Sequence, residues 1–103
     1  MSNAITLIQF KGEARVDSRL LAKRLGNQHK AIMALIERYI AKFKRFGALP
    51  FQMEKPTAGS AGGRPERYAL LNEDQSYYLL SLSRNIEIVV DLKADLIAAT
   101  VPA

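Results

Sequence analysis

The sequence predicts a mixed α+β fold for a single domain that spans residues 1–103. Two helical segments joined by a tight turn occupy most of the stretch Val16–Gly47. A small hairpin is predicted before this stretch, and two strand-like segments around a glycine-rich loop come after it. With two more helices after the second hairpin, this order is typical of a winged helix-turn-helix-like domain with a small N-terminal hairpin and C-terminal helices.

The N-terminal hairpin is predicted from two short strand-like segments. Thr6–Phe10 forms the first strand, and Ala14–Val16 can pair back on it. The intervening Lys11–Glu13 contains a glycine, which suits a tight turn.

The first helix is predicted to begin at Ser18, whose hydroxyl can accept a hydrogen bond from a first-turn amide. Gly26 should end this helix, because glycine adopts the left-handed C-terminal conformation without steric cost. Asn27 is predicted to cap the next helix at once. Two helices separated by so short a turn must cross at a steep angle, as in a helix-turn-helix.

The second helix, Gln28–Phe46, separates apolar and polar residues around the helical wheel. Its predicted core face consists of Ile32, Met33, Leu35, Ile36, Tyr39, Ile40, Phe43 and Phe46. The opposite face carries Ala31, Ala34, Arg38, Ala41, Lys42 and Arg45, with Lys30, Glu37 and Lys44 beside them. Small residues allow close approach and cations favour a polyanion, as in a recognition helix in a DNA groove. An ordinary solvated amphipathic helix is the alternative interpretation.

The second hairpin is predicted from Leu49–Lys55 and Glu66–Leu71, which flank the glycine-rich loop Pro56–Pro65. Gly47 ends the preceding helix, and Pro50 prevents its continuation. A hairpin that comes after the second helix of such a motif is a wing. Two more helices are then expected: one capped by Asn72 with Gln75 in capping-box relation, and a last one over Ile86–Ala99.

The last helix is more apolar than one core face requires. Its helical spacing predicts a stripe of Ile86, Val89, Val90, Lys93, Leu96 and Ile97. Three further residues, Ile88, Leu92 and Ala98, widen that stripe. The excess suggests a second buried surface, such as a homodimer interface through the C-terminal helix. Simple closure of a small core is the alternative.

Positive charge is concentrated in the first half of the chain. Residues 1–51 contain ten Lys and Arg against three Asp and Glu, and residues 52–103 contain five against seven. Such a field attracts phosphate backbones. The chain has no cysteine, so a disulfide framework and a cysteine metal site are excluded. With no signal peptide and no membrane-length apolar run, we expect a cytoplasmic protein that does not contact membranes.

Catalytic signatures are lacking in the sequence. His29 is the sole histidine, and neither a Gly-x-Ser-x-Gly nor a His-Glu-x-x-His motif occurs. The glycine-rich loop lacks the Lys-Ser/Thr ending of a phosphate-binding loop and precedes a strand. We therefore expect no enzyme activity, no metal and no cofactor. His29 falls on the buried side of its helix, where a hydrogen bond across the turn is favoured over a base contact.

The spacing of one group of residues resembles the opening motif of the phage regulatory protein family Rha. In this chain the group consists of Val16, Ser18-Arg19, Ala22, Leu25-Gly26 and His29-Lys30. The resemblance continues through Arg64, Tyr68, Leu70, Asp74, Leu79-Leu80 and Lys93. It implies a phage or prophage regulator acting in a bacterial cytoplasm.

The function expected from these observations is transcriptional regulation of phage genes through double-stranded DNA. The groove-facing residues are predicted to be Asn27, Gln28, Lys30, Ala31, Ala34 and Arg38. The predicted phosphate contacts are Lys42, Arg45, Lys55, Arg64 and Arg67. For Arg64, a solvated turn arginine is the alternative. The rival function is a protein-binding, antirepressor-type module that acts on a host or phage regulator through the apolar last helix.

Overall fold

The computed structural model describes residues 5–54, 65–84 and 86–100, which adopt a mixed α+β fold. Four strands are described: β1 (Ile8–Phe10), β2 (Glu13–Asp17), β3 (Phe51–Glu54) and β4 (Glu66–Leu71). Five α-helices are described: α1 (Ser18–Leu25), α2 (His29–Arg38), α3 (Ile40–Phe43), α4 (Glu73–Ser81) and α5 (Ile86–Thr100). A 3-10 turn at Lys44–Phe46 follows α3. Within these ranges, no helix has both the length and the apolar character needed to cross a membrane.

The four strands form one antiparallel sheet in the order β1-β2-β4-β3. Strand β2, which precedes the first helix, therefore pairs with the second strand of the later hairpin. In that hairpin Phe51 lies opposite Ala69, and Glu54 lies opposite Glu66. This register places the stem of the hairpin beside the start of α1.

The first hairpin turns through two residues, Lys11 and Gly12, whose φ angles are 51° and 80°. Positive φ at both central positions is the requirement of a tight type I′ hairpin turn. Glu13 therefore belongs to β2, opposite Phe10, and not to the turn as predicted. The first strand also begins later than predicted, at Ile8 rather than Thr6.

Two of the three predicted caps around the helix pair are wrong. Asp17 caps α1, since its Oδ1 accepts the Arg19 amide at 2.8 Å, while Ser18 is the buried first helical residue. Asn27 does not cap α2, because its amide closes the end of α1 by donating to the Ala22 carbonyl at 3.0 Å. The role predicted for Gly26 is confirmed: it has φ 74° and comes directly after the last turn of α1.

The predicted continuous helix over residues 28–46 is broken at Tyr39, where φ is −111° and ψ is 28°. Beyond the break, the Phe43 side chain is fully buried and packs edge-on against Tyr78, with ring centroids 4.9 Å apart. Most of the predicted core face is confirmed, with Ile32, Ile36 and Phe43 in the core. Phe46 is the exception: it is 43% exposed, although its ring lies near that of Tyr78.

The second hairpin has the strand β4 as predicted, whereas β3 is shorter than expected. Its predicted first residue, Leu49, is buried ahead of the strand, and β3 itself begins at Phe51. The Pro50 carbonyl accepts the Leu70 amide at 3.0 Å, which continues the pairing by one residue. Lys55 and most of the predicted loop, residues 56–64, lie outside the described residues.

The predicted capping box at the start of α4 is confirmed. Asn72 Oδ1 accepts the Gln75 amide at 2.8 Å, and Gln75 Oε1 accepts the Asn72 amide at 2.9 Å. The Gln75 side chain is fully buried, and its Nε2 donates to the Phe43, Gly47 and Ala48 carbonyls at 3.0–3.2 Å. This amide therefore ties α4 to the segment after α3.

A second buried side chain, Arg15 on β2, reinforces the same junction. Its Nη1 donates to the carbonyls of Ala48 and Leu70 at 3.0 Å, and its Nη2 pairs with Glu13 at 3.0 Å. Gly47 completes the junction: its φ is 125°, and a Cβ there would lie 3.0 Å from the Asn72 side-chain nitrogen. Only glycine meets both conditions.

The last helix is rotated relative to the prediction. Its buried residues are Val89, Leu92 and Leu96, and Leu92 is fully buried in the core. Three residues assigned to the core stripe, Ile86, Val90 and Ile97, are instead 74%, 59% and 51% exposed, and Lys93 is exposed as well. The packing of α5 against α1 and α4 selects this orientation. Leu92 is therefore not on the outer face of the helix, as the homodimer prediction required.

Candidate nucleic-acid interface

The outer surface of α2, together with the segment after it, contains most of the predicted DNA contacts. We call this surface the α2–α3 face and define it by Asn27, Gln28, Lys30, Ala31, Ala34, Arg38, Lys42 and Arg45, all of which are exposed. Alanines with no side chain beyond Cβ therefore lie between cationic side chains. The face has the composition that the sequence predicts.

Most cations on the α2–α3 face are not engaged by carboxylates. Within the described residues, Lys30, Lys42 and Arg45 form no ion pair, and the Arg38 guanidinium lies 5.5 Å from the centre of its neighbour Tyr39's ring. Unpaired cations on one surface are available to an anionic partner without loss of an internal contact.

The break at Tyr39 divides the predicted contacts into two groups. Those from Asn27 to Arg38 lie on or just before α2, whose ten residues span about 15 Å at about 1.5 Å per residue. Lys42 belongs to α3 and Arg45 to the 3-10 turn, so both come after a change in chain direction. The two groups therefore do not lie along one straight helix.

A groove separates α2 from the start of β4. Its lining residues are His29, Lys30, Met33, Ala34, Glu37, Pro65, Glu66 and Arg67. Arg67 forms an ion pair with Glu37 across this groove, and its guanidinium lies 4.0 Å from the centre of the Phe51 ring. The predicted phosphate contact at Arg67 is therefore already engaged by a carboxylate of α2. The two other contacts predicted on the wing, Lys55 and Arg64, lie outside the described residues.

Arg19 holds the stem of the β3–β4 hairpin against α1. Its guanidinium pairs with Asp17 at 2.6 Å, with Glu66 at 3.4 Å and with Glu54, and it stacks 3.9 Å from the centre of the Tyr68 ring. The hydrogen bonds to Asp17 raise the pKa of Arg19 above its ordinary value, and those to the two glutamates add to the effect. This arginine therefore fixes the position of the hairpin stem beside the helix pair.

The side chains of Ser18, His29 and Glu66 form a second link between the same elements. His29 Nε2 lies 2.9 Å from Ser18 Oγ, and His29 Nδ1 lies 3.4 Å from a Glu66 carboxylate oxygen. This order of groups resembles a hydrolytic triad, but Ser18 is fully buried and its Oγ already accepts the Ala69 amide at 2.9 Å. A substrate carbonyl could not reach that oxygen. The predicted hydrogen bond of His29 across the turn is confirmed.

Sequence reasoning missed the positioning roles of Arg19 and Glu66. A partial signal was the predicted hairpin of Leu49–Lys55 and Glu66–Leu71, which brings Glu54 near Glu66, and the observed register places the two directly opposite each other. Like charges in that relation are destabilising unless a cation lies between them. Because Arg19 pairs with both carboxylates, it supplies that cation.

Comparison with known proteins identifies a family for the chain. No curated protein and no solved structure matches it. The family model of the phage regulatory protein Rha matches residues 16–100, which include both helices of the α2–α3 face, the second hairpin and the two C-terminal helices. Because this match covers most of its length, the chain belongs to the phage regulatory protein Rha family.

Proposed function

We propose that this protein regulates transcription of phage genes by binding double-stranded DNA, and that its role is binding rather than catalysis. Membership of a phage regulatory family supports a regulatory role. The observation that carries DNA binding is the α2–α3 face, where exposed small residues lie among cations that form no ion pair within the described residues.

The alanines of α2 are suited to a helix that enters the major groove. Ala31 and Ala34 are exposed and add little bulk, so the helix backbone can approach base edges closely. Gln28 and Arg38, at the two ends of α2, have the donor geometry that reads purine edges. In this proposal the residues of α2 contact bases, and the chain beyond α2 lies nearer the phosphates.

The order of the helices and strands supports DNA binding in the manner of a winged helix-turn-helix domain. The helices α1 and α2 are joined by residues 26–28, and the β3–β4 hairpin comes after them in the chain. Arg19 and Glu66 fix the stem of that hairpin beside the helix pair. In this proposal the hairpin is the wing, and its predicted contacts, Lys55 and Arg64, bind backbone phosphates while Lys42 and Arg45 bind them from the helical side.

A binding titration tests the proposal directly. Fluorescence anisotropy with a labelled random duplex, measured at two salt concentrations, should show binding that weakens steeply with salt, because each phosphate contact releases counterions. Selection from a random duplex pool should then enrich a preferred site. A parent salt slope near zero together with no enriched site would overturn the proposal.

One observation favours a second candidate function, a protein-binding module of antirepressor type. The last helix exposes Ile86, Val90 and Ile97 on one side, and these are three of the largest exposed apolar side chains in the described residues. Exposed apolar patches mark protein contacts when they are contiguous.

Paired variants separate the two functions. Ala34→Glu places a carboxylate on the α2–α3 face and should abolish duplex binding while leaving the α5 side unchanged. Val90→Ser removes exposed apolar surface from α5 and should leave duplex binding unchanged. If Ala34→Glu has no effect on phage regulation and Val90→Ser abolishes it, the protein-binding function is the correct one.

A further inference from the structure

We propose that the Glu37–Arg67 ion pair masks a phosphate-binding arginine in the free protein, and that DNA displaces Glu37 from Arg67. The inference rests on the proposed function and concerns its regulation at the same surface. Glu37 lies on α2 beside the α2–α3 face, and Arg67 lies on β4 across the groove.

The two side chains are exposed enough for a phosphate to compete. The Arg67 side chain is 45% exposed and the Glu37 side chain 52%. Ion pairs at such exposure are weak, because water screens them and the paired side chains lose conformational freedom. A DNA phosphate offers Arg67 two oxygens in a geometry that matches the guanidinium fork.

Stacking on Phe51 holds the Arg67 guanidinium near the groove both in the free protein and in the proposed DNA complex. Its 4.0 Å approach to the Phe51 ring does not depend on Glu37, since Phe51 belongs to β3. Phe51 and Arg67 lie on neighbouring strands of the hairpin that Arg19 anchors. The arginine can therefore exchange one anion for another without a change in the backbone.

Glu37 differs in this respect from the other carboxylates near the groove. Glu66 is shared by Arg19 and His29, so it belongs to the link between the hairpin and the helix pair. Glu37 has one ion-pair partner in the described residues, and that partner is a predicted DNA contact. Competition from Glu37 for Arg67 therefore lowers affinity for every duplex by the same factor, so the protein is released more readily from random DNA.

The variant Glu37→Gln tests the inference, with Glu87→Gln on α5 as the matched control. Both remove one carboxylate from an exposed position. We expect Glu37→Gln to bind random duplex about two- to fivefold more tightly than Glu87→Gln. Its slope of log affinity against log salt should stay close to the parent's, because Arg67 contacts a phosphate in both complexes.

The Arg67→Ala background tests whether Glu37 acts on DNA binding through Arg67. In Arg67→Ala protein, the additional change Glu37→Gln should produce no gain beyond that of Glu87→Gln. An equal gain in both backgrounds would overturn the masking role, because Glu37 would then be repelling phosphate directly. If the parent binds duplex and Glu37→Gln behaves as Glu87→Gln does, the inference fails and the proposed function stands. A parent with no salt-dependent duplex binding overturns both.

Discussion

His29 joins the two helices of the α1–α2 pair through its Nε2, which lies 2.9 Å from the Ser18 hydroxyl oxygen. The same ring faces Glu66 of β4 with its Nδ1. Replacing the ring removes both contacts and leaves a fully buried hydroxyl with one partner fewer. We expect His29→Ala to lower the free energy of unfolding by about 1–3 kcal/mol, measured by urea denaturation.

Duplex binding per folded molecule provides the control for His29→Ala. It should change little, because the imidazole faces Ser18 and Glu66 and not the α2–α3 face. If the free energy of unfolding is unchanged and DNA binding is lost, His29 contacts bases instead.

The buried amide of Gln75 should contribute more to stability than any exposed residue of α4. Gln75→Ala leaves the Phe43, Gly47 and Ala48 carbonyls without this donor and removes half of the capping box. We expect the free energy of unfolding to fall by about 3 kcal/mol or more, since two buried groups, the Phe43 carbonyl and the Asn72 amide, lose a partner and each loss costs about 1–3 kcal/mol. Asp74→Asn, an exposed change in the same turn, should cost under about 1 kcal/mol. If urea denaturation shows similar losses of unfolding free energy for the two variants, the buried hydrogen bonds of Gln75 do not have this weight.

The two ends of the α2–α3 face should respond differently to mutation. Lys42→Ala removes a proposed phosphate contact, so it should weaken binding to all duplexes alike and reduce the salt slope by about one unit. Arg38→Ala and Gln28→Ala should instead cost about 1–3 kcal/mol on the preferred site and little on random DNA. The measurement is anisotropy on both duplexes at several salt concentrations. Identical responses from Lys42 and Arg38 variants would show that α2 reads no base sequence.

A homodimer through α5 remains a proposal, and the structure changes the residue that tests it. We expect Val90→Glu to stay folded, because Val90 is 59% exposed, and to convert a dimeric parent to a monomer in light scattering at micromolar concentration. Leu92→Glu should unfold the protein, because it buries a carboxylate in the core. A parent that is monomeric under these conditions removes the dimer.

The elements that sequence predicted well are those decided by neighbouring residues. The capping box of Asn72 and Gln75 depends on a spacing of three residues, and Gly26 ends α1 through its own backbone freedom. The strand β4 was predicted with its observed bounds, because its apolar residues lie between clear breakers. Helical periodicity explains the exposure of the residues of the α2–α3 face that lie on α2 itself.

The features that sequence did not predict depend on packing between distant residues. The break at Tyr39 occurs in a stretch without glycine or proline, and beyond it Phe43 packs against Tyr78, which lies on a helix far along the chain. The choice between Leu92 and Val90 as the core residue of α5 depends on where α1 and α4 lie. Glu37 on α2 and Arg67 on β4 are 30 residues apart, so their pairing depends on how the helix packs beside the hairpin.

The hydrogen bonds of Arg15 and Gln75 have a consequence for how this fold can be inherited. Both side chains donate to the Ala48 carbonyl, one from the strand before the helix pair and one from the helix after the second hairpin. A recombination event that joined unrelated sequences between these positions would remove these donors from the Ala48 carbonyl and from the buried Leu70 and Phe43 carbonyls, and each buried carbonyl without a donor costs about 1–3 kcal/mol. We therefore expect gene exchange to preserve the fold more often at junctions outside the stretch from β2 to α4 than at junctions within it.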